Sequence, residues 1–261
     1  MDTGTPDVLF EQRGAVAWVT FNRPQARNAM TFDMYDAIVR VADYVEGDDS
    51  IRVLVLTGAG DKAFVAGTDI SQFRTFAHPR DALDYEARMD RVIGRLEALS
   101  LPTIAAIRGY AVGGGASIAL ACDLRICTPD SRIGVPIART LGNCLSMNNY
   151  ARLVDLIGPA RTKELIFTAR LVEGDEARSL GLVNDVVAPE SLVSHVTTLA
   201  EQIASHAPIT VRVTKEAVRR VLVHRRAGPA DDLILKAYMS EDFHEGVSAF
   251  LEKRKPEWRG R

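Results

Sequence analysis

Two periods of apolar residues organise this chain. Residues 8–13 and 15–21 read as strands joined by a tight turn at Gly14, and the run breaks at Asn22-Arg23-Pro24. The period then lengthens. Phe32, Met34, Tyr35, Ile38, Val41, Ala42 and Val45 fall at helical spacing, with Thr31 placed to cap the first turn and Gly47 to end the last. Apolar, β-branched runs at 51–57 and 103–107 predict buried strands, and between them 81–99 carries Leu83, Ala87, Val92, Ile93, Leu96 and Leu99 on a helical stripe. Short strands are expected at 124–127 and 132–133. Alternating strand, helix and strand predict an α/β core of repeated ββα or βαβ units.

After Gly158-Pro159 the chain turns helical, with a valine-rich strand following Gly181-Leu182-Val183. Helices are predicted at 160–169, 174–180, 192–204 and 208–223; in the third, Leu192, Val196, Leu199 and Ile203 form one apolar face. Residues 229–252 continue the amphipathic character. The chain therefore divides into a core at 1–204 and a helical region at 205–261, which can pack on the core or on another subunit. Residues 72–79 are polar, lack apolar periodicity and read as a mobile lid.

Composition narrows the function classes. With 261 residues, 47% hydrophobic and 25% charged, the chain can bury a sizeable core as a compact soluble protein. A net charge of −2 leaves no electrostatic footprint for nucleic acid, and Arg219, Arg220, Arg225 and Arg226 read as a solvated helix face. Cys122, Cys127 and Cys144 have neither metal-ligand spacing nor the even number of a disulfide framework, so a reducing, cytoplasmic setting is expected. The start Met1-Asp2-Thr3-Gly4 does not resemble a secretory leader. The most apolar stretch, 101–122, is interrupted by Pro102, Arg108 and three glycines, making it a poor membrane span.

Two motifs carry the candidate chemistry: Ala63-Phe64-Val65-Ala66-Gly67-Thr68-Asp69-Ile70 and Gly109-Tyr110-Ala111-Val112-Gly113-Gly114-Gly115-Ala116-Ser117. Each follows a predicted strand and precedes a segment that reads as a helix. Each therefore offers backbone N–H groups at a helix start, where glycine permits close approach. Two such donors aimed at one carbonyl oxygen form an oxyanion hole. The glycines alternatively serve only a close helix–strand contact; a dinucleotide or phosphate loop needs GxGxxG or a following Lys-Ser/Thr, and neither is present. Asp69 reads as a catalytic carboxylate or, more simply, as a cap on the following turn.

These motifs, together with Asn22-Arg23-Pro24, Arg27-Asn28-Ala29-Met30, Cys122-Asp123, Gly181-Leu182-Val183 and the terminal Ala249-Phe250-Leu251-Glu252-Lys253-Arg254-Lys255-Pro256, make the chain resemble the crotonase, or enoyl-CoA hydratase and isomerase, superfamily along nearly its whole length. The resemblance implies a crotonase-like spiral of ββα units with a helical C-terminal trimerisation region, assembled as a homotrimer or dimer of trimers. It implies that the amides of Thr68 and Gly114 hold the oxygen of an acyl-CoA thioester, their side chains mattering little. Coenzyme A is then part of the substrate and no cofactor is permanently bound. Ala26, Arg27 and Ala66 match positions touching CoA, while Phe250 and Lys253 match a segment that can contact CoA from a neighbouring subunit.

The resemblance fails at the acids. Hydratases of the family use two glutamates, and Ser117 and Ile137 stand at those positions. Neither residue can exchange a proton as a carboxylate does, so standard hydration is in doubt while enolate stabilisation survives. A non-catalytic acyl-CoA-binding or assembly subunit is the competing class. Replacement chemistry can come from the polar stretch 139–149. Arg139 can bind a substrate carboxylate or pair at the surface; Asn143 can orient water or cap a turn; Cys144 can act as nucleophile or acid if its pKa is lowered, or fill space. His78 in the expected lid is a candidate proton carrier or a solvated side chain. Arg74, Asp81, Asp84 and Glu86 group with it, and of these Asp84 and Glu86 either reach the acyl pocket or belong to a charged helix face.

Overall fold

The computed structural model describes residues 1–223 and 231–260. Arg225, Arg226 and Pro229 lie outside the described residues. Strands β1 (Val8–Arg13) and β2 (Val16–Phe21) form the expected antiparallel hairpin, turning at Gly14 with φ of 58°. Helix α1 (Phe32–Glu46) opens on Thr31, whose side chain accepts from the Met34 N–H at 3.3 Å, and closes on Gly47. It leads into β3 (Val53–Gly58), parallel to β2, and then β4 (Ala63–Val65).

From there the chain repeats a pattern. Helix α2 (Pro79–Glu97) precedes β5 (Thr103–Ile107) and β6 (Tyr110–Val112); helix α3 (Gly114–Ala121) precedes β7 (Leu124–Cys127) and β8 (Arg132–Gly134). Each cycle lays one strand in each of two sheets. After α4 (Ile137–Thr140), α5 (Met147–Thr168), β9 (Val172–Glu173), α6 (Gly174–Leu180) and β10 (Asp185–Val186), the sheet orders are β1-β2-β3-β5-β7-β10 and β4-β6-β8-β9. The strands β4 and β6 lie inside the two glycine motifs, which read as turns between a strand and a helix.

The larger sheet is covered on both faces, which explains its continuous apolar runs. Ala17, Val19, Leu54, Leu56, Ala105 and Ile107 face the main core, while Val16, Trp18, Val53, Val55, Ile104 and Ala106 face Leu192, Val196 and Ala200 of α7 (Leu192–Ser205). Helix α8 (Pro208–Val223) buries no residue within this chain and leaves Ile209, Val213, Val218 and Val221 exposed. The expected helix at 229–252 is α9 (Asp231–Tyr238) and α10 (Glu241–Leu251), separated where Ser240 caps α10 through the Phe243 N–H at 3.0 Å. Both pack on the core of their own chain: Tyr238, Phe243 and Val247 form one cluster with Phe73, Ala82 and Leu141.

Two expectations are corrected here. The helix predicted at 160–169 is the second half of α5, which starts at Met147 and breaks at Gly158, with φ 74° and ψ 167°, before Pro159 restarts it. The stretch read as a polar lid is anchored instead. It holds a short 3-10 turn, Ile70–Thr75, whose spacing brings Phe73 and Phe76 edge to face with centroids 5.0 Å apart, and Phe73 is buried. Two aromatics in one polar turn carry no periodic signal.

Asn28 ties the early turn to the β3–β4 connection. Buried with φ of 56°, it accepts from the Arg23 N–H at 2.9 Å and donates to the carbonyls of Ala59 at 3.0 Å and Ala63 at 2.7 Å. Asn28→Ala removes all three bonds and is expected to cost about 3 kcal/mol. Urea unfolding should show a lower midpoint at an unchanged slope.

Candidate functional site

A cavity of about 490 Å³ opens between the ends of β4 and β6, helix α2 and the segment following α4. Its floor is built from the two glycine motifs. After β4, Met30 donates to the Gly67 carbonyl at 2.8 Å and accepts from the Asp69 N–H at 2.9 Å. This parallel bridge turns the Thr68 N–H, between the two, away from Met30. Across the cavity floor, Gly113 adopts φ 54° and ψ −118°, and Gly114 is the first residue of α3. A Cβ added at Gly114 would lie 3.6 Å from the Thr68 nitrogen and would overlap the Tyr35 hydroxyl. At Gly114 it is the Tyr35 hydroxyl that leaves no room for a side chain, and at Gly115 the Val65 carbonyl, so there the backbone of α3 lies directly against that of β4. Among the described residues, neither the Thr68 nor the Gly114 N–H has a hydrogen-bond acceptor within the protein.

The segment after Thr68 is the 3-10 turn rather than the expected helix. Asp69 caps it, accepting from the Ser71 N–H at 3.2 Å, and pairs with Arg23 at 3.3 Å. Partial burial pushes the Asp69 carboxyl up, but the bonds from Ser71 and Arg23 outweigh this and hold it below its usual range. The Thr68 side chain, expected to matter little, is held at 2.9 Å from the Tyr35 hydroxyl and 3.0 Å from that of Tyr85. Those tyrosines carried no sequence signal beyond their places on apolar helix faces.

Beside this hydroxyl chain stands Glu86. It is 5% exposed, lines the cavity, and accepts a 2.5 Å hydrogen bond from the Tyr238 hydroxyl on Oε1. Asn143 Nδ2 donates to Tyr238 in turn, at 3.1 Å. Burial, above all, pushes the Glu86 carboxyl up to about 7; Tyr238 opposes this and Asp90 adds to it. A sequence signal existed: Ala82, Glu86, Met89 and Ile93 share one buried face of α2, so this carboxylate interrupts an apolar stripe.

The other candidates separate clearly. Ser117 and Ile137 line the cavity, both buried, the Ser117 hydroxyl donating to the Gly113 carbonyl at 3.4 Å. Asn143 lines it too, with a buried Oδ1 that has no partner. Cys144 also lines it, but burial pushes its thiol up to about 12, opposite to what a nucleophile requires, and its Sγ rests 3.8 Å from the Leu233 carbonyl. Arg139 is exposed on α4, away from the cavity wall. His78, Arg74 and Asp84 are likewise exposed; Asp84 pairs with Arg80 at 2.8 Å, and Asp81 accepts from the His78 N–H at 2.8 Å to cap α2.

Ala26, Arg27 and Ala66 line the same cavity. Arg27 has φ of 51°, its carbonyl accepts from the Ala66 N–H at 3.1 Å, and its guanidinium lies 5.7 Å from the centre of the Tyr110 ring. Phe250, expected to reach a neighbouring subunit's site, lines the cavity of its own chain from α10. Lys253 follows that helix, exposed and apart from the cavity wall. Among the described residues, no group of three or more His, Cys, Asp or Glu is placed to hold a metal ion, and no helix is long and apolar enough to cross a membrane.

Comparison with known proteins gives this geometry a family. The model described as enoyl-CoA hydratase/isomerase matches residues 11–261. The chain belongs to the enoyl-CoA hydratase/isomerase family. It is 37% identical to a short-chain-enoyl-CoA hydratase of Clostridium acetobutylicum, over 96% of this chain and 97% of that one. A crystal structure of an enoyl-CoA hydratase/carnithine racemase from Magnetospirillum magneticum superposes with a TM-score of 0.81 at 32% identity, covering 98% and 97% of the two chains. A methylmalonyl-CoA decarboxylase in complex with 2-nitronate-propionyl-CoA gives a TM-score of 0.88 at 28% identity, covering 97% and 98%. The α/β architecture is thus the crotonase fold expected from the glycine motifs, carried by family members whose names cover different reactions.

The raised Glu86 carboxyl also predicts a pH-dependent cost. Its folded pKa, about 7, lies above the ordinary 4.5, so its contribution to stability is intact below pH 4.5 and is lost as pH rises through 7. Glu86→Gln, which stays neutral, should therefore gain Tm over the wild type by a few degrees between pH 4.5 and 8. Thermal melts followed by circular dichroism check this; a constant difference would place the carboxyl at its ordinary value.

Proposed function

We propose that this chain is an enzyme acting on acyl-CoA thioesters, in which the amides of Thr68 and Gly114 form an oxyanion hole that shares the negative charge of a thioester enolate. What carries this reading is that Thr68 and Gly114 line the same cavity as neighbours, and that among the described residues neither N–H has an acceptor. Family membership and the acyl-CoA names of the relatives support it. Two-glutamate hydration is not the chemistry we assign: Ser117 cannot take a proton at neutral pH as a carboxylate does, and Ile137 cannot exchange one.

Coenzyme A enters as part of the substrate. Ala26, Arg27, Ala66 and Phe250 line its path into the cavity, with the Arg27 guanidinium suited to a phosphate and Lys253 beyond α10 adding a second cation. We assign the exposed apolar side of α8 to the contact of a homotrimer, alone or paired, since Ile209, Val213 and Val221 have no cover within the chain.

Proline at the first position of a helix removes the N–H at little cost to the helix, but at Gly114 its ring would meet the Tyr35 hydroxyl. The test therefore compares Tyr35→Phe with Tyr35→Phe/Gly114→Pro. Turnover of a panel of CoA thioesters should fall about 10² to 10³-fold in the double variant, with thioester binding retained in calorimetry. Equal turnover in the two folded variants excludes the hole. Binding without turnover by the wild type would assign a non-catalytic acyl-CoA-binding subunit instead, and crotonyl-CoA hydration at ordinary enzymatic rates would overturn the reading of Ser117 and Ile137.

A further inference from the structure

A buried carboxylate needs a reason, since an uncompensated charge in an apolar setting costs several kcal/mol. Glu86 sits on the apolar face of α2 where a leucine would pack without that cost, and among the described residues none of the titratable groups facing it is a cation. They are Tyr85 and Asp90 on its own helix, Tyr35 on α1, Tyr238 on α9, Cys144 in the segment before α5 and Tyr150 in the first turn of α5. Asp90 is itself occupied, accepting from Ser146 at 2.5 Å and Asn148 at 2.9 Å. No ion pair therefore accounts for the placement of Glu86.

Its hydrogen bonds are also asymmetric. Tyr238 occupies Oε1, whereas among the described residues no donor reaches Oε2. The cavity wall holds one other carboxylate, Asp69, which is committed to capping and to Arg23. The neighbour of Glu86 in sequence, Tyr85, bonds the Thr68 side chain at 3.0 Å, so the carboxylate is anchored one residue from the wall that carries the Thr68 amide.

We propose that Glu86 is the catalytic acid and base of this enzyme, standing in from α2 for both glutamates whose places are taken by Ser117 and Ile137, with Tyr238 as its positioning residue. The inference rests on the acyl-CoA reading above. With a thioester oxygen on the amides of Thr68 and Gly114, Oε2 of Glu86 takes the α-proton. The α C–H bond breaks, its electron pair enters the enolate, and the negative charge moves to the oxygen while Glu86 becomes a neutral acid. The same acid returns a proton to carbon and regains its charge, so no water, oxidant or cofactor is consumed. A carboxyl titrating near neutrality suits both halves of that cycle. Tyr238, donating to Oε1, stabilises the charged form and leaves the other oxygen free.

The experiment is solvent exchange of the α-protons of butyryl-CoA in deuterium oxide, followed by NMR with the full-length protein. The wild type should exchange them with a rate that rises through a midpoint near pH 7. Glu86→Gln should slow exchange about a thousandfold with butyryl-CoA binding retained. Tyr238→Phe removes the donor to the charged form, and its midpoint should move up by about one unit. A folded Glu86→Gln that exchanges at the wild-type rate overturns the role of Glu86 and leaves the oxyanion hole standing. An unmoved midpoint in Tyr238→Phe overturns the positioning role. A wild type that binds butyryl-CoA without exchange, at any pH from 6 to 9, overturns the hole and Glu86 together.

Discussion

The site depends on two stretches of backbone meeting with no side chain between them. Gly114 and Gly115 begin α3 directly against the end of β4: a Cβ on the first would overlap the Tyr35 hydroxyl, and on the second the Val65 carbonyl. Because the approach is made by main chain, it is insensitive to what stands at Ser117 or Ile137. The ββα repeat sets the start of α3 beside the end of β4 from the preceding cycle. A scaffold of this kind holds an electrostatic feature fixed while the side chains around it change.

Those side chains form two connected polar groups in an otherwise apolar wall. Tyr35, Thr68 and Tyr85 link α1, the first glycine motif and α2; Glu86, Tyr238 and Asn143 link α2, α9 and the segment before α5. Helix α2 belongs to both. Its other buried contacts, Asp90 with Ser146 and Arg152 with Glu97 at 2.8 Å, fasten α5 to the same helix. That side of the cavity is thus framed by one helix to which α1, the first glycine motif, α5 and α9 all bond, which favours preorganisation over adaptability.

Much of this was legible in the chain. The hairpin, α1 with its Thr31 cap, β5, β7, α6 and α8 follow from period, caps and breakers within each segment. The glycine motifs were legible because backbone geometry there excludes other residues. Arg139, Cys144 and His78 each kept two readings for a different reason: a polar residue outside a periodic element carries no information about which way it faces, and only packing sends Arg139 outward and covers Cys144 until its thiol resists ionisation. For Glu86 the sequence left a pocket and a charged helix face as alternatives; its place on the buried face of α2 and its partner were not legible, since Tyr238 lies 152 residues away and is brought to it by α9 packing on Phe73 and Ala82.

That separation bears on how the protein comes into being. Residues 1–223 include both sheets and the glycine motifs, yet the carboxylate in the cavity has its hydroxyl donor only once residue 238 leaves the ribosome and α9 docks. Nascent chains that have completed both sheets therefore still lack both this donor and the cover that α9 gives the acid. The wall of the cavity is thus finished by the last helices of the chain, which supply Tyr238 and Phe250.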